Sequence, residues 1–257
     1  MTTLLGLEEL GHSETTEAPP DLRAAWNPKD KSASISRARI FVLQSFLGWA
    51  VDSIDMYLSL LNRKPKFVRD DDLVSALDGA GRSVSRKARA VASHFGVHPA
   101  TYALVDVLIT WRNSVFHELS DTCVQPLTER HLAEHADLIR GKYRGLVVDG
   151  LASKAEKGDA LTFKEAASLI NATHAFVEEV DAAVLSRLDL GSFCVEAVTD
   201  ALGRKNDGGA FSAKYQSLTS DARLRFMRNW LQNVHGMSGL SEDVVNQCAS
   251  LRPNHAG

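Results

Sequence analysis

Residues 111–118 read WRNSVFHE, and three of them can do chemistry together. Arg112 carries a permanently charged, planar fork suited to two oxygens of one phosphate. His117 carries an imidazole, the side chain whose ordinary titration lies near neutrality, so it can take or give a proton. Asn113 stands four residues before His117, on the same face of a helix, and can hold the ring or donate to a phosphate. The helix around them is otherwise apolar. At 100° per residue, Leu104, Leu108, Trp111 and Val115 form one face, and Asp106, Thr110, Asn113 and His117 form the opposite one, expected to face solvent. Arg112 falls beside Leu108 and Val115, inside the apolar stripe. It must snorkel, find a buried partner or face a second subunit. Such a local inconsistency marks a functional or strained place.

The segment Arg112-Asn113-x-x-x-His117, near the end of a third long helix, resembles the motif of the HEPN superfamily (higher eukaryotes and prokaryotes nucleotide-binding). Nuclease members of that family carry Arg, four to six residues, then His, often with a polar residue after the Arg. The stretch GWAVDSIDMYLSLL resembles the first long helix of such bundles, and the resemblance covers roughly residues 36–190. It implies metal-independent endoribonuclease activity, in which the RNA 2′-OH is the nucleophile and the product ends in a 2′,3′-cyclic phosphate. His117 would be general base or acid, Arg112 would steady the phosphorane, and Asn113 would hold His117 or the phosphate. Arg112 and His117 point about 140° apart on one straight helix, so a single helix cannot easily aim both at one phosphate. The resemblance implies the remedy, a symmetric homodimer with a composite cleft. A toxin or phage-defence effector is the implied role, which leaves room for a neutralising antitoxin or regulatory partner. The alternative is a non-catalytic module of the same family, a nucleotide binder or dimeric adaptor. Intact Arg112, Asn113 and His117 favour the enzyme.

The elements that must position these residues are helical. Polar and apolar residues alternate with no sustained period of two, so no strands are expected. Residues 1–33 read as a flexible tail with Pro19, Pro20 and Pro28. A helix capped by Ser34 or Ser36 is expected to run to about Asn62, a second from Asp70–Asp72 to Phe95, a third from Pro99 to Leu119, a fourth from Pro126 past Tyr143, and a fifth from Phe163 to about Leu190, capped by Thr162. The segment 203–209, GRKNDGG, reads as a loop, and short helices follow at 211–235 and 241–250. The fold class is all-α: a bundle of four to five long helices over 34–190 with a small helical extension over 191–257. The apolar stretch 40–61 is long enough to span a bilayer, but Gln44, Asp52 and Asp55 interrupt it, so a core helix is expected. Either Asp52 or Asp55 can pair with Arg112 and orient it.

Composition narrows the partners. Net charge is −3 and the pI about 6.3. A duplex-coating protein is usually basic, so an RNA site here must be local. Arg82, Arg86 and Arg89, with Lys87, recur at helical spacing and form the expected phosphate ridge on the second helix. Cys123, Cys194 and Cys248 form no CxxC pair, so neither a zinc knuckle nor a disulfide framework is expected. The first twenty residues lack a basic n-region and an apolar core, unlike a secretory signal. A cytoplasmic protein, no membrane partner, no metal and no cofactor are expected. HLAEH (131–135) matches the H-x-x-E-H metalloprotease pattern, but such enzymes need a large α/β domain and a downstream Glu ligand. Trp26, Trp49, Trp111 and Trp230 are assigned to core or interface.

Overall fold

The computed structural model describes residues 29–116, 123–203 and 210–252. Among them the secondary structure is twelve helices and no strand, an all-α protein. In chain order these are α1 (Lys31–Leu61), α2 (Asp71–Ala80), α3 (Val84–Phe95), α4 (Pro99–Phe116), α5 (Pro126–Glu134), α6 (Ala136–Lys142), α7 (Leu151–Lys157), α8 (Phe163–Arg187), α9 (Leu190–Gly203), α10 (Ala210–Gln216), α11 (Ser220–His235) and α12 (Glu242–Ser250). No helix among the described residues is long and apolar enough to cross a membrane.

The chain forms two compact units, one drawn from Met1–Asp55 and Val97–Glu178, the other from Met56–Gly96 and Glu179–Gly257. The units are therefore interleaved along the chain, whereas the sequence suggested a boundary at residue 190. The physical reason is that α1 and α8 are long, and each contributes one stretch to each unit.

In the first unit α4 is the centre. Every residue from Ala100 to Trp111 is buried, and α5 and α7 pack against it. The expectation of a solvent face at Asp106 and Thr110 is overturned: they are 2% and 3% exposed. The polar groups are met internally instead, as buried polar groups must be. The Thr128 hydroxyl donates to Asp106 Oδ2 at 2.7 Å, Thr101 and Tyr143 hydroxyls lie 3.3 Å apart, and Trp111 Nε1 donates to the Asp159 carbonyl at 2.8 Å.

The helix ends follow local chemistry. α1 begins three residues earlier than Ser34, because Asp30 caps it: Oδ1 accepts from Ala33 N at 2.9 Å. The second expected helix is two. Gly81, at φ 57°, ends α2, and Ser83 caps α3 by accepting from Arg86 N. The fourth is also broken, with α5 ending at Glu134 and α6 at Lys142. Thr162 caps α8 in a reciprocal box: Thr162 Oγ1 accepts from Glu165 N at 3.2 Å, and Thr162 N donates to Glu165 Oε2 at 2.7 Å.

The second unit closes on a core of Phe193, Cys194, Tyr215, Leu231, Val245 and Cys248, among others, from α9 to α12. Tyr215 Oη lies 2.6 and 2.8 Å from the carbonyls of Ala249 and Leu251 and anchors the end of α12. Cys194 and Cys248 are free and fully buried, and burial pushes both thiols up, Cys248 to about 12 with the help of Cys194. Burial, with Asp181 accepting its hydroxyl at 2.6 Å, likewise holds the Tyr57 phenol far above its ordinary range.

Two stability predictions follow from these bonds. Thr128→Val removes the donor to buried Asp106 and is expected to cost about 1–3 kcal/mol in urea denaturation. Glu165 behaves differently. Burial raises its carboxyl, but hydrogen bonds from Lys154 and Thr162 outweigh that and hold it below its ordinary 4.5. A lowered carboxyl stabilises fully above that value, and the contribution is lost as pH falls through the lower folded value. Glu165→Gln is therefore expected to reduce stability at pH 7 and to flatten its decline below pH 4.5, measured as denaturation midpoints across pH.

Candidate functional site

The site lies where α4 leaves the core. Thr101–Trp111 are buried, Arg112 to Val115 are half-buried, and Phe116 is 50% exposed. Arg112 is thus the first residue after the buried run of α4 that can reach solvent. Its Nη2 donates to Asp52 Oδ1 at 3.0 Å, and its Nη1 donates to Asn113 Oδ1 at 3.4 Å. The side chain of Arg112 is 23% exposed and that of Asp52 is 64% exposed. Arg112 is therefore solved by pairing across helices, α4 to α1, and stays accessible from one side.

Gly48 makes that approach. It stands one turn before Asp52 on α1, and a Cβ built there would lie 3.3 Å from two ring atoms of Phe116. With no side chain at 48, the Phe116 ring lies directly on α1, and the carboxylate four residues on meets Arg112. A glycine within a 31-residue helix is the sequence signal for such a close contact, and it lies outside the Arg-Asn-x-x-x-His motif. A second close approach fixes the other side of α4's end. Gly158, at φ 65°, caps α7, and a Cβ there would lie 3.3 Å from Val115.

The remaining sequence candidates distribute as follows. His117 lies outside the described residues, as do Trp26 and residues 204–209 of the GRKNDGG loop. Asp55 lies half-buried one turn beyond Asp52 on α1 and has interactions of its own. Arg82 is not on a helix: it sits in the turn between Gly81 and Ser83, so the expected i, i+4, i+7 ridge does not form. Arg86 and Arg89 do share α3, both exposed, with Lys87 half-buried. They belong to the second unit, and Arg112 belongs to the first. In HLAEH, His135 lies beyond the last residue of α5, and its ring centroid is 6.3 Å from that of His131. Among the described residues no three His, Cys, Asp or Glu side chains are arranged to hold a metal ion.

Trp111 is core, whereas Trp49 on α1 is 71% exposed. With Phe46 it lines a cleft of about 160 Å³ whose far wall carries Thr173 and His174 of α8. Trp49 precedes Asp52 by three residues, so the cleft and the Arg112–Asp52 pair are neighbours on one helix.

The Gly48 contact carries a graded prediction. Gly48→Ala is expected to be near neutral, because a gain in helix propensity of about 1 kcal/mol offsets a small shift of the half-exposed Phe116 ring. Gly48→Leu cannot be absorbed that way and is expected to cost about 1–3 kcal/mol in urea denaturation. No protein-family model, no curated protein and no solved structure matches this chain.

Proposed function

We propose that the chain is a metal-independent endoribonuclease of HEPN type, acting as a symmetric homodimer with a composite active site, in the role of a toxin or antiviral-defence effector. The observation that carries the reading is Arg112: a guanidinium at the solvent end of a buried helix, aimed by Asp52 at 3.0 Å and beside Asn113. Asp52 is mostly exposed and only Arg112 is half-buried, and a pair at the surface contributes roughly 0–1 kcal/mol, so a phosphate can replace the Asp52 carboxylate on the same fork at low cost.

The chemistry then needs two proton transfers, one off the 2′-oxygen and one onto the departing 5′-oxygen, and the composite site of the proposed dimer supplies two copies of His117 for them. His117, one residue past Phe116 in the chain, takes the proton from the 2′-OH or gives one to the departing 5′-oxygen. The 2′-oxygen attacks the adjacent phosphorus, the bond to the 5′-oxygen breaks, and the products are a 2′,3′-cyclic phosphate and a 5′-hydroxyl. Arg112 holds the non-bridging oxygens, on which negative charge builds up in the phosphorane. The exposed aromatic residues Phe46, Trp49 and Phe116 support the dimer reading. They flank the Arg112–Asp52 pair on α1 and at the end of α4, which is apolar surface adjoining the motif.

The test is cleavage of total RNA by purified protein in EDTA, with product ends mapped. Wild type is expected to cut and leave 2′,3′-cyclic phosphates. Arg112→Ala is expected to lower the rate roughly 10²- to 10³-fold and His117→Ala roughly 10²- to 10⁴-fold. Trp49→Glu is expected to yield monomers in sedimentation and to lose cleavage with the fold intact. No cleavage by wild type, or equal cleavage by Arg112→Ala and His117→Ala, would overturn the enzyme reading in favour of a binding or adaptor module.

A further inference from the structure

The second unit holds a cleft that the ribonuclease reading does not use. Its volume is about 190 Å³, and Arg63, Lys64, Phe67, Phe193 and His235 line it. The inner wall is aromatic. Phe67 and Phe193 have ring centroids 4.9 Å apart, and Phe193 and His235 lie edge to face at 5.9 Å. Trp230 also meets the His235 ring at 4.9 Å, again edge to face. The rings are therefore positioned by one another before any ligand arrives.

The mouth is cationic. Arg63 and Lys64 are exposed and have no carboxylate partner among the described residues. Acids nearby in the fold are already engaged. Glu196 accepts from Arg69 at 2.8 Å and from Lys66 N at 3.1 Å, and Asp78 accepts from Asn62 at 2.9 Å. These same bonds pin the loop that carries the cations, as do Arg63 N to the Leu60 carbonyl and Val68 N to the Leu61 carbonyl. The other cleft of this unit is different, because its charges are matched internally: Arg187 lies 3.4 Å from His94 and over the Phe95 ring, and His94 lies 3.9 Å from Asp70.

We infer that this cleft binds a phosphorylated nucleoside, with the base against Phe67 and His235 and the phosphate at Arg63 and Lys64. The volume decides the arrangement. Drug-sized ligands occupy pockets of roughly 300–1,000 Å³, so about 190 Å³ admits one flat ring system and leaves the phosphate at the mouth. Aromatic side chains accept any base on its face, and unpaired cations supply the attraction that an acidic chain otherwise lacks. The inference does not depend on the ribonuclease reading, since Arg112 belongs to the first unit.

The test is isothermal titration calorimetry on the full chain. The probes are the four ribonucleoside 5′-monophosphates, the four unphosphorylated nucleosides, inorganic phosphate, and a 2′-O-methyl oligonucleotide with a 5′-phosphate. At least one phosphorylated probe is expected to bind roughly tenfold more tightly than either its nucleoside or phosphate alone. The double variant Arg63→Ser/Lys64→Ser is expected to reduce it to the nucleoside's affinity, and Phe67→Ala to that of phosphate. Far-UV circular dichroism checks that both variants fold. Binding by a monophosphate assigns a free nucleotide, and binding by the oligonucleotide alone assigns a chain end. No binding at millimolar concentration, phosphate binding as tightly as nucleotide, or affinity unchanged in both variants would overturn the inference. Arg112→Ala is expected to bind these probes as wild type does, which separates this cleft from the proposed active site.

Discussion

Helix α4 has no solvent face for three turns, and this burial governs the first unit. From Thr101 to Trp111 every side chain must be apolar or must find a partner inside the protein. The partners come from the stretch of short helices that follows it in the chain. Thr128 of α5 answers Asp106, Tyr143 after α6 answers Thr101, and the Asp159 carbonyl after α7 answers the Trp111 indole. The small helices α5 to α7 are thus arranged around the hydrogen-bonding needs of one central helix. Arg112 is the first residue on which that demand is relaxed. Its position at the rim follows from where the core ends.

The charge pair at that rim is held by geometry more than by energy. Asp52 is mostly exposed, and an exposed ion pair contributes little. The helix end that carries Arg112 is set by close packing: Gly48 lets Phe116 lie on α1, and Gly158 lets the end of α7 close on Val115. An arginine on a helix end held by packing, paired with a mostly exposed carboxylate, is suited to exchange that carboxylate for another anion. A deeply buried pair would be far more costly to break.

Much of this was legible in the sequence, and the losses have specific causes. The all-α class, the start of α4 at Pro99 and the capping by Thr162 rest on local rules, periodicity, missing N–H groups and side-chain caps, and the structure has them. The misplaced Arg112 and the acids opposite it were also visible, because an arginine in an apolar stripe is a local conflict. The face carrying Asp106 and Thr110 misled for a tertiary reason: the helix is buried on all sides, and Asp106 is met by a partner far along the chain, Thr128, 22 residues away. The basic ridge failed for a local one. Gly81 adopts positive φ and Ser83 restarts the helix, so Arg82 falls in a turn and the ridge loses its first member. The interleaving of the two units was invisible because it depends on where two long helices divide their contacts, which no window of sequence contains.

Charge sets the last constraint. A chain of net charge −3 has no general field to gather polyanions, so recognition of phosphate must rest on cations held at chosen places. The cations divide by how they are engaged. Arg69 and Lys154 are spent on Glu196 and Glu165, where they hold loops and helix ends. Arg63 and Lys64 sit at the mouth of an aromatic cleft without a carboxylate partner among the described residues, and Arg112 sits at the rim of the core, paired with the mostly exposed Asp52. An acidic surface makes such exceptions more selective, because a polyanion is repelled elsewhere and gains only where the local geometry supplies both positive charge and a surface for its bases.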